Sequence, residues 1–317
     1  MTTVNPADPT EPAASSMPPG EPPPATVPGV ATVHGVPVRR EALYFARRNK
    51  KLVGGLAVVL AFLALALVGP LFVADDPLAY VGPPAQPPSG TYWLGTTTFG
   101  QDVFAQFVHG LRATFLVGIV GALIAGVLGM VVGFTAGYRG GAVDEILTMV
   151  TNVVLVLPVL AVLMIIAAYL QVRNVAVQAV IIGLFSWPWV ARAVRAQTFS
   201  LRSREFVDLA KLSGAPVRRI IFTEIAPNMA SYLFMVFILL FGGAVLFAAT
   251  LDFIGLGPTD GISLGLMLNH AKQWSAMNLG MWWWFIPPGL AITTVVGAFY
   301  IMNVGLDEVF NPKLREM

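Results

Sequence analysis

Residues 192–228 read RAVRAQTFSLRSREFVDLAKLSGAPVRRIIFTEIAPN and form a basic interruption between two long apolar segments. This stretch, called the basic loop below, holds seven of the 19 Lys and Arg residues of the chain. A loop between two membrane helices is normally short and merely polar, whereas this one is long enough for two helices joined at residues 213–216. Its length and charge predict that another protein binds it.

The composition is that of a membrane protein. Of the 317 residues, 56% are hydrophobic and only 11% are charged, whereas soluble domains carry about 25% charged residues. Six apolar segments are long enough to cross a bilayer, which takes about 20 residues. They are Leu52–Val73, Ala113–Tyr138, Ile146–Leu170, Asn174–Ala191, Met229–Leu251 and Leu279–Leu306. None contains a charged side chain, although Trp187-Pro188-Trp189 interrupts the fourth. The predicted fold class is an all-α integral membrane protein with six transmembrane helices.

The distribution of positive charge predicts the orientation of these helices. With the N-terminus inside the cell, 16 of the 19 Lys and Arg residues fall on the cytoplasmic side, and Arg112, Arg173 and Lys272 fall outside. Cytoplasmic segments of membrane proteins carry such an excess of positive residues. Both termini and the basic loop are therefore predicted to be cytoplasmic.

The chain divides into four regions by composition. Residues 1–38 are rich in proline and poor in large apolar residues, which predicts a disordered cytoplasmic tail. Residues 39–73 combine a cationic helix at the membrane surface with the first transmembrane helix. Residues 74–112 form an extracellular loop, in which Asp102–Leu111 has the pattern of an interfacial helix. Residues 113–317 are the core membrane domain and include the basic loop.

Helical spacing gives the first half of the basic loop two faces. One face is apolar or small and comprises Phe206, Leu209, Ala210 and Ser213; the opposite face comprises Glu205, Asp208 and Lys211. Gly214 suits the left-handed position that ends a helix, and Pro216 suits the first turn of the next. The predicted shape is a helix, a glycine turn and a second helix.

The second helix of the basic loop has an apolar stripe of its own. It consists of Val217, Ile220, Ile221 and Ile225. Pro227 follows the stripe, and a proline inside a helix removes a hydrogen bond and clashes with the preceding turn. We therefore expect the second helix to break at Pro227.

The basic loop resembles the cytoplasmic E-A-A-x-x-x-G-x9-I-x-L-P loop found in the permease subunits of binding-protein-dependent ABC importers. The residues aligned with this motif are Asp208, Leu209, Ala210, Gly214 and Pro227, with the Gly-to-Pro spacing kept. The departures are Asp208 for Glu, Leu209 for Ala, Glu224 for Ile and Ala226 for Leu.

Three further stretches resemble the C-type permease of the dipeptide, oligopeptide and nickel importer branch. They are WLGTTTFGQDVFAQFVHG at residues 93–110, LDFIGLG at residues 251–257, and the end of the chain from FIPPGLAI to GLDEVFNPK. The second is similar to the run L-S-F-L-G-L-G of that branch. The resemblance covers residues 40 to 317 and implies the transmembrane domain of a type I ABC importer, with 113–317 as its core permease domain.

The resemblance also implies partners. In this family the short helix of the loop enters a groove on a cytoplasmic ATPase. The implied coupling residues are Glu205, Phe206, Asp208, Leu209, Ala210, Gly214, Arg218, Arg219 and Pro227. No lysine in the chain follows a glycine, so the G-K-[ST] phosphate loop is missing. ATP and Mg are therefore expected on two partner ATP-binding cassette subunits and no cofactor on this chain. The other expected partners are a second, B-type permease, an extracellular substrate-binding protein and the lipid bilayer, with no nucleic acid.

Polar residues within apolar segments are candidates for the translocation path, because an unpaired polar group in lipid is costly. The candidates are Asn152, Pro158, Asn228 and Asn303. A single Asn or Pro more often joins or bends helices, so that alternative stays open. Family members use the outer loop containing Asn269, His270 and Lys272 as an extracellular gate, and the resemblance implies this role here. Gly129, Gly133 and Gly137 predict close packing against the partner permease or a neighbouring helix.

These observations predict the permease subunit of an ATP-driven importer of di- or oligopeptides in a prokaryotic cell membrane. It is not expected to be an enzyme, and no catalytic residue is assigned. The chain has no cysteine and only three scattered histidines, so no metal site is expected. An ATP-independent secondary transporter or channel is the alternative function, although the spans lack charges for an ion relay. Nickel complexes and oligosaccharides are the alternative substrates.

Overall fold

The structure, a computed structural model, describes residues 49–170 and 173–310. The predictions for the N-terminal tail, for the surface helix before residue 49 and for residues 311–317 lie outside this part of the chain. The described apolar segments are helical. Lipid offers no hydrogen-bond partner to a backbone amide, so a segment of the bilayer must satisfy its own backbone.

Four helices are each long and apolar enough to cross a membrane. They are α1 (Lys50–Val68, continued by a 3₁₀ turn at Gly69–Phe72), α2 (Val103–Arg139), α9 (Ala230–Phe253) and α11 (Trp282–Phe310). Two bent pairs are also candidates, α3 (Gly141–Val156) with α4 (Val159–Tyr169) and α5 (Val175–Ser186) with α6 (Pro188–Leu201). The described chain therefore has four candidate spans, or up to six if each bent pair is one span.

Both bends lie at a proline. The α3–α4 pair bends by 76° at Leu157-Pro158, and the α5–α6 pair bends by 45° at Trp187-Pro188. Leu157 has an extended backbone with ψ of 131°, because the ring of a following proline disfavours the helical conformation. Pro188 instead opens α6, where its missing N–H costs nothing. The interruption predicted at residues 187–189 is thus a bend between two helices.

Several helices extend beyond the predicted spans and include charged residues. The second begins at Val103 rather than Ala113, so Asp102–Leu111 is not a separate interfacial helix. The side chain of Asp102 accepts a hydrogen bond from the Phe104 amide at 2.9 Å and caps this 37-residue helix. Outside the predicted spans, α3 also includes Asp144, α6 includes Arg192 and Arg195, and α9 includes Asp252. All of these charged residues lie outside the predicted spans, because helical hydrogen bonding continues past the apolar part.

The glycine row of α2 lets α6 approach closely. A Cβ placed on Gly133 would lie 2.7 Å from the Val194 Cβ and 2.8 Å from the Ala191 carbonyl oxygen. Gly129 and Gly137 meet α6 at similar distances one helical turn to either side. The predicted close packing is therefore made against a neighbouring helix of the same chain.

The described chain has two distinct ends. At the first, which we call the loop end, residues 74–102 lie near the start of α11, and the Trp283 indole donates to the Thr96 carbonyl at 3.2 Å. The short helix α10 (Leu264–Gln273) also lies there, since Trp274 packs edge-on against Phe99 at 4.7 Å. At the second, which we call the hairpin end, α2 finishes beside α6 and the basic loop. Lys51 and Glu308 form an ion pair that joins α1 to α11 at this end.

Candidate docking hairpin and polar sites

The basic loop folds as a helical hairpin at the hairpin end. Its first helix, α7, spans Glu205–Leu212 and is anchored by Val207, which is fully buried. Phe206 and Ala210 are partly buried and pack against the same core. On the other side, Lys211 pairs with Asp208 at 2.9 Å and donates to the Arg202 carbonyl at 3.2 Å. The hairpin is therefore attached to the membrane helices through one face of α7.

The turn of the hairpin depends on Gly214. Its φ of +75° lies in the left-handed region, which favours glycine, and an added Cβ there would meet nothing within 4 Å. The Gly214 amide donates to the Lys211 carbonyl at 3.0 Å, and the Ala215 amide donates to the Ala210 carbonyl at 3.1 Å. These bonds satisfy the end of α7. The helix–glycine–helix shape is as predicted, with Pro216 as the residue just before the second helix.

The second helix, α8 (217–228), does not break at Pro227 as predicted. It consists of Val217–Arg219, a π-helical segment at Ile220–Ile225 and a final turn at Ala226–Asn228. The wider π turns before Pro227 leave room for the proline ring. The interruption comes instead at Met229, directly before α9 begins at Ala230. Only one residue therefore separates the hairpin from the following membrane helix.

The hairpin exposes large apolar side chains. Leu209 is 66% and Leu212 85% exposed, and Phe222 on α8 is also largely exposed. As the helical spacing predicts, Leu209 shares with Phe206, Ala210 and Ser213 the side of α7 that faces a groove, although Leu209 is exposed where Phe206 and Ala210 are partly buried. An open groove runs between α7 and α8, lined at its rim by Arg219 and Glu224. Exposed leucines beside such a groove are typical of a protein-binding surface.

The four candidate path residues do not come together at one site. Asn152 lies on α3 and accepts a hydrogen bond from Arg192 Nη2 at 2.8 Å, and Pro158 forms the bend two residues beyond the end of α3. Asn228 is exposed and donates to the Glu224 carbonyl at 2.6 Å. Asn303 lies on α11, and its buried Oδ1 has no hydrogen-bond partner among the described residues.

A polar cluster surrounds Asn152. Arg195 contacts the Asp144 carboxylate through two nitrogens, and its Nη2–Oδ2 distance is 2.6 Å. The Thr148 hydroxyl donates to the same carboxylate at 3.1 Å. These bonds and the Arg192–Asn152 bond join α3 to α6 near the hairpin end. The sequence identifies Asn152 as a candidate path residue but places Arg192 and Arg195 in a loop rather than on a helix.

The three candidate gate residues lie together on α10 at the loop end. The Asn269 amide donates to the Phe253 carbonyl at 2.8 Å, and the Lys272 ammonium lies 4.9 Å from the centre of the Phe253 ring. Burial lowers the pKa of His270. Within residues 49–170 and 173–310, no group of three His, Asp or Glu side chains is arranged to hold a metal ion.

Asp252 is a buried polar residue that sequence reasoning missed. Its carboxylate accepts a hydrogen bond from Gln178 Nε2 at 2.6 Å and another from the Ser263 hydroxyl. The three residues join α5, α9 and the start of α10. The signal was present in the sequence, because Asp252 occupies the serine position of the L-S-F-L-G-L-G pattern.

Comparison with known proteins agrees with these features. Residues 129–316 match the family described as binding-protein-dependent transport system inner membrane component. The chain is 32% identical to the dipeptide transport system permease protein DppC of Alkalihalophilus pseudofirmus, over 87% of this chain and 90% of that protein. It is 30% identical to DppC of Bacillus subtilis over 85% and 84% of the two chains. It is also 27% identical to the oligopeptide transport system permease protein OppC of Bacillus subtilis over 87% and 90%. The chain therefore belongs to the family of inner membrane components of binding-protein-dependent transport systems.

Proposed function

We propose that this chain is the C-type permease subunit of an ATP-driven importer of di- or oligopeptides. The relatives named above are dipeptide and oligopeptide permeases, and the similarity extends over most of both chains. The observation that carries the proposal is the hairpin, which presents Leu209 and Leu212 to a partner in a chain that lacks a phosphate loop of its own.

In this proposal each bent pair is one span, so the chain crosses the membrane six times. Both termini and the hairpin then lie in the cytoplasm, as the distribution of positive charge favours. The membrane is the cell membrane of a prokaryote. Asn269, His270 and Lys272 lie at the opposite, extracellular end, where we assign them to the gate.

The complete transporter also contains a B-type permease, two ATP-binding cassette subunits and an extracellular substrate-binding protein. ATP and Mg bind to the cassette subunits. Leu209 and Leu212 enter the groove of one cassette, and Glu205, Arg218 and Arg219 contact its rim. Burial of two leucines contributes about 1.5–3 kcal/mol each, which gives the contact a firm apolar centre.

The cycle is alternating access. Closure of the cassette dimer around ATP moves the hairpin, and two features pass this movement to the membrane helices. Val207 fixes α7 to the core, and a single residue, Met229, separates α8 from α9. Inverting a two-state equilibrium from 1:99 to 99:1 takes about 5.5 kcal/mol of differential binding. Because the hairpin is fixed to the core at Val207 and joined to α9 at Met229, it can transmit a free energy of this size to the membrane helices.

Reconstitution of the complex tests the proposal. Proteoliposomes are prepared with ATP on the cassette side and with binding protein and a labelled dipeptide on the other. We expect ATP-dependent uptake by the complex and none by the chain alone. The double variant Leu209→Ala and Leu212→Ala should lose most peptide-stimulated ATP hydrolysis, whereas the exposed neighbour Ser203→Ala should keep it. Uptake by the chain alone without ATP would refute the proposal and favour a secondary transporter or channel.

A further inference from the structure

An arginine with unused donors lies beside a partly enclosed pocket near the hairpin end. Arg192 is on α6, and its Nη2 donates to Asn152 Oδ1 on α3 at 2.8 Å. A guanidinium has five N–H donors. In the described part of the chain, the bond to Asn152 is the one hydrogen bond Arg192 makes, and it forms no ion pair with a carboxylate.

The charges around Arg192 are distributed unequally between two cavities. The pocket that contains Arg192 has a volume of about 230 Å³ and lies between α2, α3 and α6. Arg192, Arg195 and Asn152 line it, and its lining among the described residues includes no carboxylate. The neighbouring, more open cleft of about 560 Å³ is lined by Asp144 and Glu145. Thr148, Asn152 and Arg195 line both cavities, whereas the acidic groups line only the open cleft and Arg192 lines only the enclosed pocket.

The pairing of Asp144 leaves the enclosed pocket with a net positive charge. The Asp144 carboxylate is engaged by Arg195 and by the Thr148 hydroxyl, so it neutralises Arg195 rather than Arg192. Valine and alanine side chains of α2, at Val132 and Ala136, form the apolar wall opposite. One guanidinium beside an apolar wall suits a ligand that has both a carboxylate and an apolar side chain.

We propose that Arg192 and Asn152 form a subsite for the C-terminal carboxylate of a peptide at the hairpin end of the translocation path. This inference rests on the proposed function, because it assumes that peptides pass between these helices. The free N–H groups of Arg192 bind the two carboxylate oxygens, and Asn152 holds the guanidinium in place. Planar, bidentate recognition of carboxylates is the interaction for which arginine is best suited.

Binding to the assembled complex tests the subsite directly. The complex is placed in nanodiscs without binding protein or nucleotide, and saturation-transfer NMR measures the affinity for alanyl-phenylalanine and for its C-terminal amide. The wild type should prefer the free acid by about tenfold or more, since a hydrogen bond to a charged group contributes about 1.5–3 kcal/mol. Arg192→Met should remove this preference. Arg139→Met, which alters an exposed arginine outside the pocket, should retain it.

Two further variants keep the test decisive if Arg192→Met does not assemble. Arg192→Lys keeps the charge but loses the fork, and should retain only part of the preference for the free acid. Asn152→Asp places a carboxylate against Arg192 and should abolish the preference. Basal ATP hydrolysis identifies the variants that have assembled. An unchanged preference in an assembled Arg192→Met or Asn152→Asp complex would overturn the subsite.

A lipid phosphate has similar chemistry, so the measurement is made in two lipid compositions. Equal affinity for the free acid in phosphatidylcholine alone and with added phosphatidylglycerol supports the peptide as occupant. Loss of affinity when phosphatidylglycerol is present assigns the pocket to lipid and overturns the inference. Peptide uptake by the wild-type complex separates this result from failure of the proposed function. If the complex imports no peptide, the proposed function fails; if it imports peptide and Arg192→Met keeps the preference for the acid, only the subsite fails.

Discussion

Replacement of Gly133 by alanine should drive α2 and α6 apart. The added Cβ would lie 2.7 Å from the Val194 Cβ and 2.8 Å from the Ala191 carbonyl oxygen. Non-bonded carbon atoms are most favourably separated by about 3.5–4.0 Å. The helices must therefore move by roughly 0.8 Å at this position, because one of the obstructing atoms belongs to the backbone and cannot rotate away.

The expected cost is about 1–3 kcal/mol, which is typical of overpacking a well-packed core. Alanine also favours a helix by about 1 kcal/mol relative to glycine. The propensity gain can be measured separately at Gly243 on α9, where an added Cβ would meet nothing within 4 Å. Because both substitutions are Gly→Ala inside a helix, the difference between them isolates the steric cost at Gly133.

Thermal unfolding of the purified chain in detergent, followed by tryptophan fluorescence, measures both effects. We expect Gly133→Ala to unfold several degrees below the wild type, at about 2–4 °C per kcal/mol. Gly243→Ala should unfold at or slightly above the wild-type temperature. If Gly133→Ala is as stable as Gly243→Ala, the close approach of α6 is not the reason that α2 needs its glycines.

Three further predictions concern polar groups. Asp252→Ala should lower the unfolding temperature, because it leaves the partly buried Gln178 amide without its acceptor at a cost of about 1–3 kcal/mol, and Asp252→Ser should recover part of the loss. Asp144→Asn should destabilise the contact between α3 and α6 by about 1 kcal/mol, since the partly exposed Arg195 loses its charged partner; the same thermal assay measures this. Burial lowers the pKa of His270 in the folded state. The stability that neutral His270 contributes is therefore fully present above the ordinary pKa of about 6.5, and it is lost as the pH falls through the lowered pKa of the folded state. His270→Gln should therefore flatten the fall in unfolding temperature between about pH 7 and pH 5, and an unchanged pH dependence would contradict this assignment.

The sequence predicted the helical class and the hairpin well, because both depend on local patterns. Apolar runs identify spans by length, and Gly214 identifies the turn by the backbone conformation it permits. Helix ends were less predictable. The sequence predicts a span that begins just after Arg112, yet α2 continues through Arg112 for nine residues towards its N-terminus, because Asp102 supplies the cap.

Contacts between distant residues could not be read from the sequence. Asn152 was a candidate by its polarity alone, and nothing in the pattern indicated that Arg192, 40 residues away, would donate to it. The same holds for Gln178 and Asp252, which are 74 residues apart. Helical spacing places Leu209 on the side of Phe206, as the structure has it, but it does not show that Leu209 stays exposed, because the position of Val207 against the core decides which side is buried.

The 76° bend at Pro158 has a consequence for the biogenesis of the chain. A turn interrupted by proline leaves backbone carbonyls that lipid cannot satisfy. The side chains before it are widely exposed in the chain alone, with Val153 at 61% and Val156 at 83%. Lipid accommodates the exposed valines but not the unpaired carbonyls, so the bend is more stable where another protein covers it. If the chain pairs with a second permease as proposed above, we expect the chain made without that partner to be degraded, so that synthesis of the partner sets how much of it accumulates.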